Sequence, residues 1–345
     1  MRIIIDAMSG DNAPLEIIKG VSLAKKAYED HTYILVGAEN IISDIAVKNK
    51  IDISGVEIID APNVITMEDS PLSVIRDKKD SSMSVALKSL ATGLGDALVS
   101  AGNTGALVTG ATIIVKRISG INRPAIASVL PLSNPFLLMD SGANLTVTSD
   151  NICQFAFMGA KYMEKIYGID RPRVGLLNNG TEYNKGNELQ TESYQILLES
   201  GLEFVGNVEG KAVPFDVCDV LVTDGFTGNI FLKTVEGMGK FMLGMLKEVL
   251  TTNIVTKVST LTMGEKIREL KQRFDAGEHG GAPILGVSRP VIKAHGSSDA
   301  NAIKNAIRQA IHFVETGINS EIAAFAADYD AKKLLADAER MYIDE

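Results

Sequence analysis

Tryptophan is absent, cysteine occurs twice and histidine four times in 345 residues, and aromatic side chains make up only 6% of the chain. The two cysteines, Cys153 and Cys218, supply neither a disulfide framework nor a C-x-x-C metal pair, so both read as buried, inert thiols in a reducing compartment. No His or Cys grouping has metal-ligand spacing and no H-E-x-x-H string occurs, so no metal and no cofactor is expected. Positive charge is in deficit: 34 Lys and Arg face 43 Asp and Glu, a net charge of −9. Wrapping nucleic acid needs clustered positive charge, which removes it from the expected partners. Nothing approaches the roughly 18 consecutive apolar residues of a spanning helix. The opening apolar run meets Asp6 at once, too early for the core of a signal peptide, so the expected location is the cytoplasm.

What the chain does have is a globular composition, with 46% apolar and 22% charged residues, laid out in an even rhythm. Short apolar runs alternate with longer segments of helical period, which predicts an α/β fold. The runs Ile3 to Asp6, Tyr33 to Gly37, Val56 to Asp60, Ala97 to Ser100, Val174 to Leu177, Val217 to Thr223 and Val291 to Ala294 read as strands. A helix is expected from about Pro14 to Tyr28. This rhythm predicts one large α/β domain over residues 1–345, with room for two intertwined subdomains.

Four of these runs end in Gly-, Asn-, Thr- or Ser-rich turns: Gly102-Asn103-Thr104-Gly105, Asn178 to Thr181, Asp224 to Asn229, and His295 to Asp299. In an open parallel sheet, strand ends share one edge, and ligands bind there. Small residues let a ligand approach the backbone, and helix N-termini offer unpaired N–H groups to an anion, so phosphate is the guest these turns suit. Any one such turn has an ordinary structural use, since βα connections need Gly and Asn anyway; it is their number that points to a shared anion site. No G-x-G-x-x-G follows a strand and no P-loop is present, which argues against an ordinary nucleotide site. Cations near the turns are Lys185, Lys233, Lys293 and Arg123, and His295 is the histidine placed at a strand mouth. Asp6 and Asp224 can orient ligands or cap the helices that follow, capping being the commoner use. No G-x-S-x-G elbow marks an acyl-enzyme hydrolase.

From 236 to 275 the pattern changes to an inserted amphipathic helical hairpin. Its first arm carries Phe241, Met242, Met245, Leu246 and Leu250, and its second is basic, with Lys266 and Lys271 among its cations. Core or dimer packing is one use of such a face; docking on an acidic protein or an anionic membrane surface is the other.

Several strings together resemble the PlsX family, the acyl-[acyl-carrier-protein]:phosphate acyltransferases of bacterial phospholipid synthesis. They include Asp6-Ala-Met-Ser-Gly-Asp11, Ser100-Ala-Gly-Asn-Thr-Gly-Ala106, Arg123-Pro124-Ala125, Gly142-Ala-Asn144, Lys185-Gly-Asn-Glu188, Asp224-Gly-Phe-Thr-Gly-Asn229, Gly280-Gly-Ala-Pro283 and Lys293-Ala-His-Gly-Ser-Ser298. The resemblance runs from residue 1 to about 310, with Ser9, Ser141 and Asn179-Gly180-Thr181 departing from the family's usual residues. It implies a three-layer α/β/α sandwich like that of the isocitrate and isopropylmalate dehydrogenases, and a homodimer. It also implies transfer of a long-chain acyl group from acyl carrier protein to inorganic phosphate, giving acyl phosphate for phosphatidic acid synthesis. Family members are cytoplasmic, associate peripherally with the membrane and pass their product to a membrane glycerol-3-phosphate acyltransferase.

On that reading Lys185, Lys293 and His295 are the expected catalytic groups. Asp6, Asn103, Thr104, Asn178, Asp224, Thr227, Gly228, Asn229, Lys233 and Ser297 are expected around phosphate and substrate. Two other readings are a metal- and NAD-dependent hydroxyacid dehydrogenase, whose aspartate cluster and adenine loop have no counterpart in the sequence, and a non-enzymatic scaffold for the carrier protein.

Overall fold

Ile3, Ile4 and Ile5 are buried on both sides of their strand, the signature of a parallel sheet covered by helices on each face. The computed structural model describes residues 1–131, 134–252 and 280–329. The elements in chain order begin with β1 (Arg2–Asp6), α1 (Leu15–Ala27), β2 (Thr32–Gly37), α2 (Glu39–Asn49), β3 (Glu57–Asp60), α3 (Ser82–Ala91), β4 (Ala97–Ser100) and α4 (Thr104–Gly110). The turn of α4 runs on as a π-helical stretch, Ala111–Lys116. There follow β5 (Ala125–Ile126), β6 (Ser128–Pro131), β7 (Pro135–Met139), α5 (Ser149–Tyr167), β8 (Arg173–Asn178), α6 (Glu188–Glu199), β9 (Glu203–Glu209) and β10 (Val220–Val222). The described chain then continues through α7 (Gly225–Thr251), β11 (Ala282–Leu285), β12 (Val291–Lys293) and α8 (Ala300–Thr316).

The strands form two sheets, ordered β3-β2-β1-β4-β12-β11-β5 and β6-β7-β10-β8-β9. In the first, β3, β2, β1, β4 and β12 run parallel and β11 antiparallel; in the second, only β6 is antiparallel to its neighbour. One face of the first sheet packs Ile3, Ile5 and Leu35 against Ile18 and Val21 of α1 and Ile303 and Ile307 of α8. The other packs Ile4, Ile34 and Leu98 against Met83 and Leu87 of α3 and Leu107 of α4. In the second sheet Leu137, Val174 and Val220 meet Phe155 and Tyr162 of α5 and Leu197 of α6, while Leu138, Leu177 and Leu221 meet Phe231, Leu232 and Val235 of α7. Each sheet is therefore the middle of an α/β/α sandwich, as the sequence predicts.

Side-chain caps decide where the helices start. Thr148 and Asn151 form a reciprocal capping box on α5, Asp299 accepts from the Ala302 N–H at 2.9 Å to open α8, and Asp224 opens α7. The predicted hairpin needs a correction at its first boundary. Its first arm is no separate insertion starting at 236; it is the far half of α7, one continuous helix from Gly225. The second arm, with Lys266 and Lys271, lies outside the described residues. Beyond Val235 the helix leaves the sheet: Met238, Phe241, Met242, Met245 and Val249 are all more than half exposed. Leu246 and Leu250 are partly buried. Among the described residues no helix is long and apolar enough to cross a membrane.

Candidate active site

The C-terminal ends of β1, β4 and β12 converge, and Gly10 is the point where they touch. Its φ of +120° is open to glycine and rarely to other residues, and a Cβ there would lie 3.0 Å from Ala101 Cβ and 3.2 Å from the Gly296 carbonyl oxygen. The loop after β1 is stitched to the turn after β12: Asp11 N–H donates to Gly296 O at 2.8 Å, and Asn12 Nδ2 donates to the carbonyls of Ser297 and Ser298 at 3.0 and 3.3 Å. Beneath them lies Asp6, fully buried, which accepts from Ser82 Oγ at 2.6 Å and Ser100 Oγ at 2.8 Å. Burial pushes the Asp6 carboxyl above its ordinary value, against the opposing pull of these hydroxyls. Asp6 therefore ties β1 to β4 from below.

Lys293 and His295 stand on this platform. The Lys293 ammonium donates to the Ala294 carbonyl at 2.5 Å, and burial pushes its pKa down to about 8, with Lys233 acting the same way and Asp11 opposing. Burial also lowers the pKa of His295, with Lys293, Lys240 and Lys233 acting in the same sense and Glu236 against it. His295 Nδ1 lies 2.9 Å from Ser297 Oγ and accepts from the Ser297 N–H at 3.3 Å. Because a backbone N–H can only donate, Nδ1 carries the lone pair, and the neutral ring bears its proton on Nε2. Ser297 thus orients the imidazole.

Apart from Asp11, the outside charges felt by this pair come from α7, whose placement depends on Asp140 and Gly228. Asp140, after β7, is fully buried and accepts from the N–H groups of Ile126, Gly142, Ala143 and Asn144, and from Asn144 Nδ2. That knot forms the seat of α7. A Cβ on Gly228 would collide with the Asp140 carbonyl oxygen, and Gly142 faces the side chain of Asn229. At 100° per residue, Asn229, Lys233, Glu236 and Lys240 then share one flank of the helix, toward Lys293 and His295. Thr227, Ile230, Phe231 and Thr234 share the other.

That second flank lines an open groove of about 710 Å³, whose opposite wall is Asn178, Asn179, Gly186, Asn187 and Gln190. Lys185 belongs to the loop on the groove side, its ammonium 3.9 Å from Glu182. Several other expected ligand residues make structural hydrogen bonds. Asn178 Nδ2 donates to the Lys185 carbonyl at 3.0 Å, and Asp224 accepts from Thr227 N–H at 2.8 Å and Thr227 Oγ1 at 2.7 Å. Gly228 is buried against Asp140. Asn103 caps α4 through the Ala106 N–H at 3.0 Å, while its Nδ2 points at the carbonyls of Thr66, Met67 and Asp69 at 3.1 to 3.3 Å. Thr104, next to it, is partly exposed at the start of α4.

Away from this edge, both thiols are buried, and burial raises the pKa of Cys153 to about 11 and that of Cys218 to about 12. Arg123 is exposed. Two linked α/β/α layers with Lys, His and carboxylates at one strand edge define a class of enzyme that handles small anionic groups.

The fold is found among solved structures. The chain superposes on the EutD phosphotransacetylase from Staphylococcus aureus with a TM-score of 0.59 at 16% identity, covering 92% of this chain and 94% of that one. It superposes on a 4-hydroxythreonine-4-phosphate dehydrogenase from Klebsiella pneumoniae with a TM-score of 0.54 at 13% identity, covering 91% and 99%. These likenesses carry the fold. Residues 1–321 match the family described as "Fatty acid synthesis protein". The chain is 45% identical over 323 residues to the "Phosphate acyltransferase" of Thermoanaerobacter pseudethanolicus, covering 93% of this chain and 96% of the relative. It is 46% identical over 324 residues to that of Bacillus pumilus, with the same coverage. The chain belongs to this family, the PlsX phosphate acyltransferases, and is an acyltransferase.

Proposed function

We propose that this enzyme moves a long-chain acyl group from the thioester of acyl carrier protein to inorganic phosphate, releasing acyl phosphate for phosphatidic acid synthesis. The observation that carries the proposal is the pairing of Lys293 with an Nε2-protonated His295, beside Lys233 and Lys240, at a strand edge. Phosphate is its own nucleophile, so no activated Ser or Cys is required, consistent with two buried thiols.

The Lys293 ammonium holds phosphate, with Lys233, Asn229 and Thr104 around it. A phosphate oxygen attacks the thioester carbonyl carbon, the new C–O bond forms, and the carbonyl electron pair moves onto oxygen. His295 Nε2–H donates a hydrogen bond to the developing charge. Collapse re-forms the carbonyl and breaks the C–S bond. The thiolate leaves readily because a thiol's pKa is about 8.5, and it takes its proton from His295 or solvent. Positioning and charge supply the rate, the role expected where nucleophile and leaving group are both already reactive. Lys185, at the groove, serves substrate approach instead of the chemical step.

Docking belongs to the same reading. The exposed Met238, Phe241, Met242 and Met245 on the far half of α7 support peripheral association with an anionic membrane surface, close to the membrane glycerol-3-phosphate acyltransferase that consumes the product. Acyl carrier protein as donor and a homodimer rest on the family resemblance, as does a cytoplasmic location.

The test is thiol release from acyl-carrier-protein thioester with and without inorganic phosphate, trapping acyl phosphate as the hydroxamate. Phosphate-dependent release is expected. Carrier-protein binding without release would support the scaffold reading instead.

A further inference from the structure

The loop between β3 and α3 reaches over the His295 turn and is fixed there by contacts that have no bearing on the strands. Asn103 Nδ2 faces the carbonyls of Thr66, Met67 and Asp69. The Asp69 carboxylate accepts from Thr66 N–H and Lys78 Nζ, both at 2.6 Å, and Lys78 Nζ also donates to the Val64 carbonyl at 2.9 Å. Pro71 closes the loop against Gly105, where a Cβ would lie 2.8 Å from the ring. A loop held at so many points presents its side chains in one place.

The side chain it presents is Met67. Met67 is 53% exposed, and its terminal methyl would lie 3.3 Å from a Cβ on Gly296. The Asp11 carboxylate oxygens would lie 3.4 and 3.6 Å from that same Cβ. An apolar thioether and a carboxylate thus meet the turn that carries His295 at Gly296. An unbranched, polarizable side chain left uncovered beside a charged reaction centre suits contact with an alkyl chain. An acyl group whose carbonyl carbon is within about 3.5 Å of a phosphate oxygen at Lys293 must start its chain beside this turn.

We infer that Met67 forms the apolar wall for the first part of the donor's alkyl chain, and so is a specificity-determining residue for the acyl group. The inference rests on the acyl-to-phosphate reading above and adds to it the surface that meets the chain. Asn103 is the positioning residue that holds this wall in place.

The experiment measures kcat and KM of the full-length enzyme and its Met67 variants for octanoyl, dodecanoyl and hexadecanoyl thioesters of acyl carrier protein, together with the KM for phosphate. Met67→Ala is expected to raise the donor KM about tenfold, the scale of a lost apolar contact in a binding site, and to change the ranking of the three chain lengths. Its phosphate KM stays at the wild-type value. Met67→Leu restores the donor KM, whereas Met67→Gln, of similar length but polar, does not. Wild-type donor KM values and ranking in both the Ala and Gln variants would overturn the assignment. So would an equal fall in kcat for all three donors that Met67→Leu fails to correct, since that is what a purely structural residue would give. No phosphate-dependent release by the wild-type enzyme would overturn the acyl-transfer reading itself, an outcome visible before any variant is made.

Discussion

The two flanks of α7 do different work although they belong to one helix. One carries Asn229, Lys233, Glu236 and Lys240 toward Lys293 and His295, where burial above all, helped by neighbouring lysines and opposed by Asp11 and Glu236, holds two bases below their ordinary pKa values. The other carries Thr227, Ile230, Phe231 and Thr234 along a groove walled by neutral carboxamides. Charge concentrated on one flank suits an anion and an oxyanion; amides over an apolar floor suit a neutral, extended ligand. The lesson is that a strand edge rich in small polar residues is not automatically one site. The helix that starts there divides it.

The sharpest way to break this comparison is to remove charge from the first flank. Lys293→Met should lower phosphate-dependent turnover by about a hundredfold or more, the usual scale for loss of a preorganised charge contact to the transition state, read as thiol release at saturating donor. A loss of only a few-fold would mean that the charged flank is not the reaction centre.

Next in size is the seat that aims both flanks. Gly228→Ala should destabilise the protein by about 3 kcal/mol, at the upper end of overpacking costs, because its Cβ would meet the Asp140 carbonyl. Chemical denaturation measures this directly, and an unchanged midpoint would show that α7 is not seated on Asp140.

The pH dependence sharpens the comparison further. With Lys293 at about 8, turnover should fall on the alkaline side as pH rises through about 8 and the ammonium loses its proton. Lys293→Arg, which does not titrate there, should lose that limb. The sign for stability is opposite. The folded value lies below the ordinary 10.5, so the unfolded chain binds more protons between about 8 and 10.5, and this residue's contribution to stability rises with pH across that window. A profile flat to pH 10 would contradict the placement of Lys293.

The smallest effect is expected on the groove side. Lys185→Met should leave kcat within about twofold, because its partner is an exposed Glu182 at 3.9 Å and such pairs contribute little. A change would be confined to the donor KM.

Much of this was legible in the sequence. Apolar runs marked the parallel strands, since burial on both faces leaves no alternation, and Asp224, readable as ligand or cap, does cap the helix that follows it. The placement of Lys293 and His295 at a strand end was legible too, since the apolar run that forms β12 closes there. The seating of α7 was not: it depends on Gly228 lying against the Asp140 carbonyl, a contact across more than 80 residues of chain. Asp140 itself looks like a turn residue in Met139-Asp140-Ser141-Gly142, because its five donors come largely from backbone. The strands β5, β6, β7, β9 and β11 were also missed, being short or interrupted by Pro and Gly, and with them the antiparallel pairings β5–β11 and β6–β7. Asn103 read as a ligand because a capping Asn and a binding Asn look alike until the carbonyls facing its amide are known.

The most direct test of the account is calorimetric titration of inorganic phosphate into the wild-type protein and into Lys293→Met and Lys185→Met. The account predicts that phosphate affinity falls at least tenfold in Lys293→Met and stays within about twofold of wild type in Lys185→Met, a tenfold change being about 1.4 kcal/mol. Equal losses in both variants, or a loss in Lys185→Met alone, would contradict it and put the anion in the groove.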